Sequence, residues 1–251
     1  MTAPPYSLLA AGYDAVMEHV DYPYWAGHVQ RIVEAHRPGA ASVVELGCGT
    51  GALAEQLQPL GPPPAGYVYR AFDGSPAMVA TAKEAAPDSP VTFGVLDFRE
   101  AVPGPPADVV LLLYDGLNYL LDPADVAVLL ERIAGALAPG GIAVVDQSTP
   151  ANSLNHADSF DDAGQTDAFA YERTSRYDAA TGLHTTTFRL TGPDGHVQTE
   201  THVQRAYTLD AVRALIAASP LAERAAYAEF SLRRAGPATE RVHWVLGRRG
   251  E

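Results

Sequence analysis

The chain of 251 residues is expected to form an α/β fold with a doubly wound, mostly parallel sheet. Helices precede this sheet, and an antiparallel β-meander is inserted late in the chain. Three observations predict it. Short β-branched runs alternate with helical patterns over the first 150 residues, the signature of βαβ units. A glycine-rich loop, Gly47 to Gly51, directly follows the first run. After Pro150 the alternation fails, and strand patterns follow one another with hairpin turns between them.

Tyr6 to Ala35 reads as a separate helical layer. Leu8, Leu9, Tyr13, Val16 and Met17 share one helical face, and Trp25, Val29, Ile32 and Val33 another. Ser42 to Leu46 is predicted as the first strand and Ala52 to Leu57 as the first core helix. Tyr67 to Phe72 is the second strand, and Ser75 to Ala86 a helix with Pro76 in its first turn. Val91 to Val95 is a short third strand. Asp108 to Leu113 is a continuous apolar run, as expected of a strand covered on both faces. Asp122 can cap the next helix, with Pro123 at its first position. Val126, Leu130, Ile133 and Leu137 then recur at helical spacing until Pro139-Gly-Gly141 stops it. Ile142 to Asp146 is a further strand.

Ala151 to Thr166 is polar and without clear period. Phe169 to Tyr177, His184 to Thr191 and Val197 to Tyr207 form the meander, with Asp194-Gly195 a strong hairpin signal. Thr208 caps a helix through Ala218, striped by Val212, Leu215 and Ile216. Tyr227 to Leu232 and Arg241 to Leu246 are read as final strands returning to the main sheet. The resulting division is 1–35 helical cap, 36–150 core, 151–207 insert and 208–251 return to the core.

Composition narrows the function classes. With 47% hydrophobic and 19% charged residues the chain is globular. One cysteine, Cys48, excludes an intrachain disulfide. Seventeen basic against thirty acidic residues give −13, which disfavours bulk binding of nucleic acid. The first residues carry no basic, apolar leader pattern. The longest apolar stretch, Val109 to Leu113, is far short of the roughly 20 residues of a membrane span. A cytoplasmic protein is the expectation. The four histidines of the insert, His156, His184, His196 and His202, match no metal-ligand spacing, so no metal is expected. An exposed meander edge could pair two copies into a homodimer.

Gly47, Gly49 and Gly51 let the backbone turn tightly and a ligand approach closely. The following helix N-terminus offers unpaired N–H groups. Asp73 ends the second strand, where a carboxylate can accept from ribose hydroxyls. These features indicate a nucleoside-containing cofactor. Gly47-x-Gly49-x-x-Ala52 also satisfies the dinucleotide pattern, so the loop alone does not separate a nicotinamide dinucleotide from S-adenosylmethionine.

The wider set of motifs does. Glu45-Leu-Gly-Cys-Gly-Thr-Gly51 resembles the first motif of class I S-adenosylmethionine-dependent methyltransferases. Phe72-Asp-Gly-Ser-Pro-Ala-Met78, Asp97-Phe98 and Pro139-Gly140-Gly141 resemble later motifs, and the likeness runs from Ala41 to Gln147. Tyr13-Asp14, Asp21-Tyr22 and Trp25, Tyr114-Asp-Gly-Leu-Asn-Tyr-Leu120, and Glu200-x-His202-x-Gln-Arg205-x-Tyr207 are similar to segments of small bacterial members, including amino-sugar N,N-dimethyltransferases. The resemblance implies a seven-stranded Rossmann-like sheet, S-adenosyl-L-methionine as methyl donor, S-adenosyl-L-homocysteine as product, and a small-molecule acceptor, an amine among the candidates.

It also implies roles. Gly47, Cys48, Gly49 and Gly51 would cradle methionine and ribose, with Glu45 near the methionine amino group. Asp73, Gly74, Ser75 and Met78 would form the ribose turn, and Asp97 and Phe98 would hold adenine. Tyr13, Trp25 and Tyr114 would close over the cofactor. Asn118, Tyr119 and His202 are the substrate-facing candidates. Strand alternation puts Glu200 and His202 on one face and Arg205 on the other. No single residue has to be catalytic, because a sulfonium methyl is already electrophilic. The alternatives are an NAD(P)-dependent oxidoreductase, a non-catalytic binding module of the same fold, and a methyltransferase acting on RNA.

Overall fold

The computed structural model describes residues 2–156 and 161–251. In chain order the elements are β1 (Thr2–Ala3), a 3-10 turn (Leu9–Gly12), α1 (Tyr13–Val16), α2 (Tyr22–His36), β2 (Ser42–Leu46), α3 (Ala52–Leu57), β3 (Val68–Asp73), α4 (Pro76–Ala85), β4 (Thr92–Val95) and β5 (Ala107–Leu112). A 3-10 turn (Gly116–Tyr119), α5 (Pro123–Ala136), β6 (Leu137–Ser148), α6 (Pro150–Asn155), β7 (Asp162–Gln165), β8 (Ala170–Asp178), β9 (Leu183–Thr191), β10 (Val197–Arg205), α7 (Leu209–Ala218), β11 (Leu221–Ala228) and β12 (Arg241–Arg248) complete the chain.

Seven strands form the main sheet in the order β11-β12-β6-β5-β2-β3-β4. β2 to β6 run parallel, and β12 pairs antiparallel with both β6 and β11. Val109 to Leu112 are wholly buried, as the unbroken apolar run requires. One face of the sheet is covered by α5 and α7 through Val126, Leu130, Ile133, Val212 and Ile216. The other is covered by α2, α3 and α4 through Val29, Ile32, Leu57 and Val79. Both caps expected from sequence form: Asp122 accepts from Ala124 N–H at 2.9 Å and Thr208 from Ala211 N–H at 3.2 Å; Ser75 also caps α4, accepting from Met78 N–H at 3.3 Å. Among the described residues no helix is long and apolar enough to cross a membrane.

A second sheet, β1-β10-β9-β8-β7, carries the meander. β1 joins it in parallel, Thr2 opposite Thr199 and Ala3 opposite Glu200. The two apolar faces of the N-terminal layer therefore separate. The face of α2 packs on the main sheet, whereas Leu9 and Val16 pack on Phe169, Phe188 and Leu190 of the meander.

Three sequence expectations need correction. The last strand pair begins with β11 at Leu221, not at Tyr227. β11 is alanine-rich and bulged between Glu223 and Ala225, so its pattern is weak. Of the aromatic residues that suggested the later strand, Tyr227 lies near the end of β11, while Phe230 belongs to the following loop, in which Glu229 is left-handed and Phe230 meets Trp25 edge-on at 4.8 Å. Leu137 opens β6 instead of closing α5, with ψ 136°. The polar stretch after Pro150 contains α6, capped by Thr149 with Pro150 in its first turn, and β7. Residues 157–160 of that stretch, like Met1, lie outside the described residues.

The layers meet at Arg241, at the start of β12. Its guanidinium contacts Asp146 at the end of β6 and Asp115 at 2.9 Å in the loop after β5. It also lies over the rings of Trp25 (5.1 Å) and Tyr114 (5.5 Å). Burial pushes both carboxyls above their ordinary range, and the nearby guanidinium opposes that rise. Behind it the rings of His28 and His243 meet edge-on at 4.7 Å, and burial pushes both imidazoles down to about 3.

Arg241→Met should therefore cost about 3–5 kcal/mol, the usual penalty for stranding a buried charge. The double variant Arg241→Met/Asp146→Leu should recover much of it. Urea unfolding checks both, and an unaltered midpoint in the single variant would contradict the account.

Candidate active site

The site lies at the C-terminal ends of the parallel strands, where doubly wound sheets bind ligands. β2 delivers the glycine loop. Gly49 has φ +55°, and a Cβ built there would meet nothing within 4 Å, so the loop presents bare backbone to open space. Its N–H donates to Asp73 Oδ2 at 2.9 Å. Asp73 Oδ1 accepts from Ser75 N–H at 2.8 Å. Burial pushes the Asp73 carboxyl up, partly countered by these two bonds. Thr50 of the loop donates to Asp14 Oδ1 at 2.5 Å, tying the loop to α1.

A cavity of about 780 Å³ opens above these residues, within the size range of small-molecule sites. Gly47, Gly49, Asp73, Gly74, Ser75, Met78, Asp97 and Phe98 line it, as do Tyr13, Tyr114 and Tyr119. Pro4, Pro5 and Tyr6 cover it from the N-terminal segment. The Tyr6 carbonyl accepts from Ser75 Oγ at 2.9 Å, bridging that segment to α4. A narrower recess of about 50 Å³ shares Tyr13, Gly47, Gly49 and Tyr114 and adds Trp25, Glu45 and Cys48.

Glu45 is 3% exposed. It accepts from Tyr69 Oη at 2.8 Å. Burial pushes its carboxyl up to about 7; the Tyr69 bond lowers it, and the Asp73 charge raises it further. Cys48 is buried, and burial together with the Glu45 and Asp73 charges pushes its thiol up, which removes it as a nucleophile.

A second pocket, of about 260 Å³, shares Tyr6, Tyr13, Tyr114 and Tyr119 with the large cavity. Its other walls include Asp115, Arg173, Phe188, His202 and Arg241. Tyr114 and Asp115 have φ of 56° and 63°. Two successive non-glycine residues in the left-handed region are a strained arrangement of the kind that accompanies functional sites. The Asp115 N–H donates to Asp146 Oδ2 at 3.0 Å, which holds that turn.

Two candidates lie elsewhere. Gly51 lines neither cavity; its φ is +80°, and a Cβ would meet the Phe93 ring at 2.7 Å, so it is needed for the start of α3. Asn118 is 1% exposed. Its Nδ2 donates to the Ser148 and Arg205 carbonyls, both at 2.8 Å, and its Oδ1 accepts from Ser148 N–H at 3.0 Å. It clamps β6 to β10 and faces a separate pocket of about 100 Å³.

His202 and Tyr119 do meet. Tyr119 Oη lies 3.0 Å from His202 Nδ1 and 2.5 Å from Tyr6 Oη. His202 Nε2 lies 2.8 Å from Glu200 Oε1. Glu200, wholly buried, also accepts from the N–H groups of Tyr6 (2.5 Å), Leu8 (2.9 Å) and Leu9 (3.2 Å). Arg205 turns away, donating to the Leu121 and Thr181 carbonyls. Asp97 is gripped by Arg99, whose Nε and Nη2 donate to its two oxygens at 2.9 and 2.6 Å. Arg99 itself lines the cavity. Among the described residues no three His, Cys, Asp or Glu side chains form a group that could hold a metal ion.

Sequence reading missed Tyr6, Arg99 and Arg241. For Arg99 the signal was its spacing two residues after Asp97. Tyr6 and Arg241 act through partners far along the chain, which local spacing does not reveal.

Residues 43–141 match the model of a methyltransferase domain. The dTDP-4-amino-2,3,4,6-tetradeoxy-D-glucose N,N-dimethyltransferase of Saccharopolyspora spinosa is 32% identical over 137 residues, 53% of this chain and 52% of that protein. The trans-aconitate 2-methyltransferase of Mycobacterium tuberculosis (strain ATCC 25177 / H37Ra) is 41% identical over 101 residues, 40% of this chain and 34% of that one. The chain thus aligns with about half, and about a third, of these relatives' lengths. An S-adenosylmethionine-dependent methyltransferase structure from Clostridium acetobutylicum ATCC 824 shares the fold over 95% of this chain and 96% of its own, with TM-score 0.78 and 20% identity. The matched methyltransferase domain covers the same strands and loops that floor the cavity.

Proposed function

We propose that the chain transfers the methyl group of S-adenosylmethionine to an amine nitrogen of a small molecule seated in the 260 Å³ pocket. The observation that carries this reading is the shared wall: the same four tyrosines border a nucleoside-sized cavity and a smaller second pocket. A donor and an acceptor placed on either side would face each other across them, as alignment of the reacting atoms requires.

The residues fit the methyl donor. In this reading Gly47 and Gly49 receive the methionine and ribose portions by bare backbone. Asp73 accepts from the ribose hydroxyls, and Asp97 and Phe98 hold the adenine. Trp25, Glu45 and Cys48 border the methionine end, and Tyr13 and Tyr114 offer ring faces to the sulfonium. When bound, the donor supplies an electrophilic methyl. The protein supplies alignment and exclusion of water.

An amine suits the second pocket. Asp115, which borders the pocket, and the buried Asp146 share one guanidinium, Arg241. An acidic acceptor, like the one named for the mycobacterial relative, would need a free cation. Arg173 is already held by both oxygens of Asp162, at 2.8 and 2.7 Å, and Arg241 by two aspartates. The N,N-dimethyltransferase relative supports the same choice. Calorimetry showing tight NAD(H) binding with no binding of S-adenosylmethionine or S-adenosylhomocysteine would overturn the reading.

Asp73→Ala should weaken S-adenosylhomocysteine binding by about 1–3 kcal/mol, the worth of hydrogen bonds to a charged group. Asp73→Asn should lose less, because its amide oxygen can still accept from Gly49.

Binding should also release a proton. Glu45 ionises near 7 in the free protein, and the cationic methionine amino group favours its ionised form. Affinity should therefore hold above pH 7 and fall below it, by up to about tenfold per pH unit. Calorimetric enthalpies at pH 6.5 should differ between phosphate and Tris buffers. Glu45→Gln should remove both effects, and identical enthalpies in the two buffers would exclude this role.

A further inference from the structure

Glu200 is a buried carboxylate that two structures share. One is the N-terminal segment, which roofs the donor cavity with Pro4, Pro5 and Tyr6. The other is His202, which sits at the wall of the second pocket. The Glu200 carboxylate accepts three N–H groups of the segment, and its Oε1 lies 2.8 Å from His202 Nε2. Burial alone would raise this carboxyl; the donors from His202, Leu8 and Tyr6 hold it below the ordinary range, so it is ionised.

An ionised Glu200 fixes the direction of every bond beyond it. In the neutral ring Nε2 carries the hydrogen, so Nδ1 is bare and accepts from Tyr119 O–H. Tyr119 Oη then accepts from Tyr6 O–H. The lone pairs of Tyr6 Oη are left at the boundary of both cavities. Tyr6 holds this place with φ 60°, a strained value for an aromatic residue, and its ring stands edge-on to His202 at 4.5 Å.

We propose that Glu200 is a latch that closes the N-terminal segment over the donor cavity and, by the same carboxylate, orients Tyr6, Tyr119 and His202 as a proton path out of the acceptor pocket. The reaction itself rests on the methyltransferase reading above. As the nitrogen–methyl bond forms and the sulfur–methyl bond breaks, the sulfur keeps the bonding pair. The nitrogen's surplus proton passes to Tyr6 Oη. The Tyr6 proton passes to Tyr119 and the Tyr119 proton to His202 Nδ1. The imidazolium so formed lies beside the Glu200 carboxylate. Glu200 is a positioning residue; it touches neither cavity. With the segment open, Tyr6 is withdrawn and the path is broken before water can enter it.

The test uses the full chain with S-adenosylhomocysteine, comparing wild type, Glu200→Gln and Tyr119→Phe. Nitrogen-15 NMR of labelled histidine reads the His202 tautomer, and amide exchange reads Tyr6, Leu8 and Leu9. A glutamine offers one acceptor oxygen where four donors now share two. Glu200→Gln should therefore speed exchange of those amides by about tenfold or more, hasten release of the product, and scramble the tautomer together. Tyr119→Phe should leave exchange and tautomer intact. With a 3-amino-3,6-dideoxyhexose lacking the nucleotide as the probe acceptor, it should lower kcat. The proposal is overturned if Glu200→Gln frees the amides while His202 keeps its tautomer, if His202 carries its proton on Nδ1 in the wild type, or if Tyr119→Phe leaves kcat unaltered. Failure of the wild type to bind S-adenosylhomocysteine overturns the methyltransferase reading instead. Lack of turnover with this amine overturns only the acceptor class. The exchange and tautomer measurements then decide the latch by themselves.

Discussion

The buried Arg241 guanidinium constrains more of this molecule than any other group. It joins the antiparallel strand β12 to the end of β6 through Asp146 and reaches the turn after β5 through Asp115. Its two remaining sides are covered by Trp25 of α2 and Tyr114. A buried charge is costly to keep, and apolar residues of similar size are often at least as stable. Its retention is explained by what it positions. Asp115 accepts from the guanidinium, and its own N–H binds Asp146, so the left-handed pair Tyr114–Asp115 has one available conformation. That pair sets Tyr114 in the wall between the two cavities. It also starts the short turn that delivers Asn118 to its clamp and Tyr119 to His202.

The site is thus assembled from three parts that are far apart in sequence. The main sheet supplies the glycine loop and Asp73, the inserted meander supplies Glu200 and His202, and the first residues supply the roof. The N-terminal segment and the meander share a small core of their own, in which Leu9 and Val16 meet Phe169, just before β8, and Phe188 and Leu190 of β9. The contacts converging on Glu200 add directional bonds to that apolar packing.

Much of the main sheet was legible in the sequence because its signals are local. Ser42 to Leu46 and Ala52 to Leu57 coincide with their elements, since a β-branched run, a glycine turn and a helical stripe lie within a few residues of each other. Asp73 was legible for the same reason: it ends a strand and precedes a Ser-Pro cap. What escaped depends on distant partners or on weak side chains. β11 forms from alanines because Trp244 and Val245 of β12 stand opposite, and nothing in Leu221 to Ala228 announces that neighbour. Asn118, read as facing substrate, is taken by the Ser148 and Arg205 carbonyls, 30 and 87 residues away. Glu200 and His202 were correctly placed on one strand face by alternation. The strand pattern could not show that three N-terminal amides converge on the same carboxylate.

The surface charge and the pocket charge make separate arguments. The net −13 belongs to an exterior that disfavours polyanions and selects no small acceptor. If the second pocket takes the acceptor, selection comes from its own lining, where Asp115 acts at short range. There the two arginines are already committed, one to Asp162 and one to Asp115 and Asp146, so an anionic group would enter without a partner. A neutral amine attacks the methyl and becomes a cation in doing so, so its surplus proton has to leave as the transfer occurs. A carboxylate in the pocket wall favours that positive charge, and Tyr6 is placed to take the proton. Both Asp115 and Tyr6 border the same 260 Å³ of space.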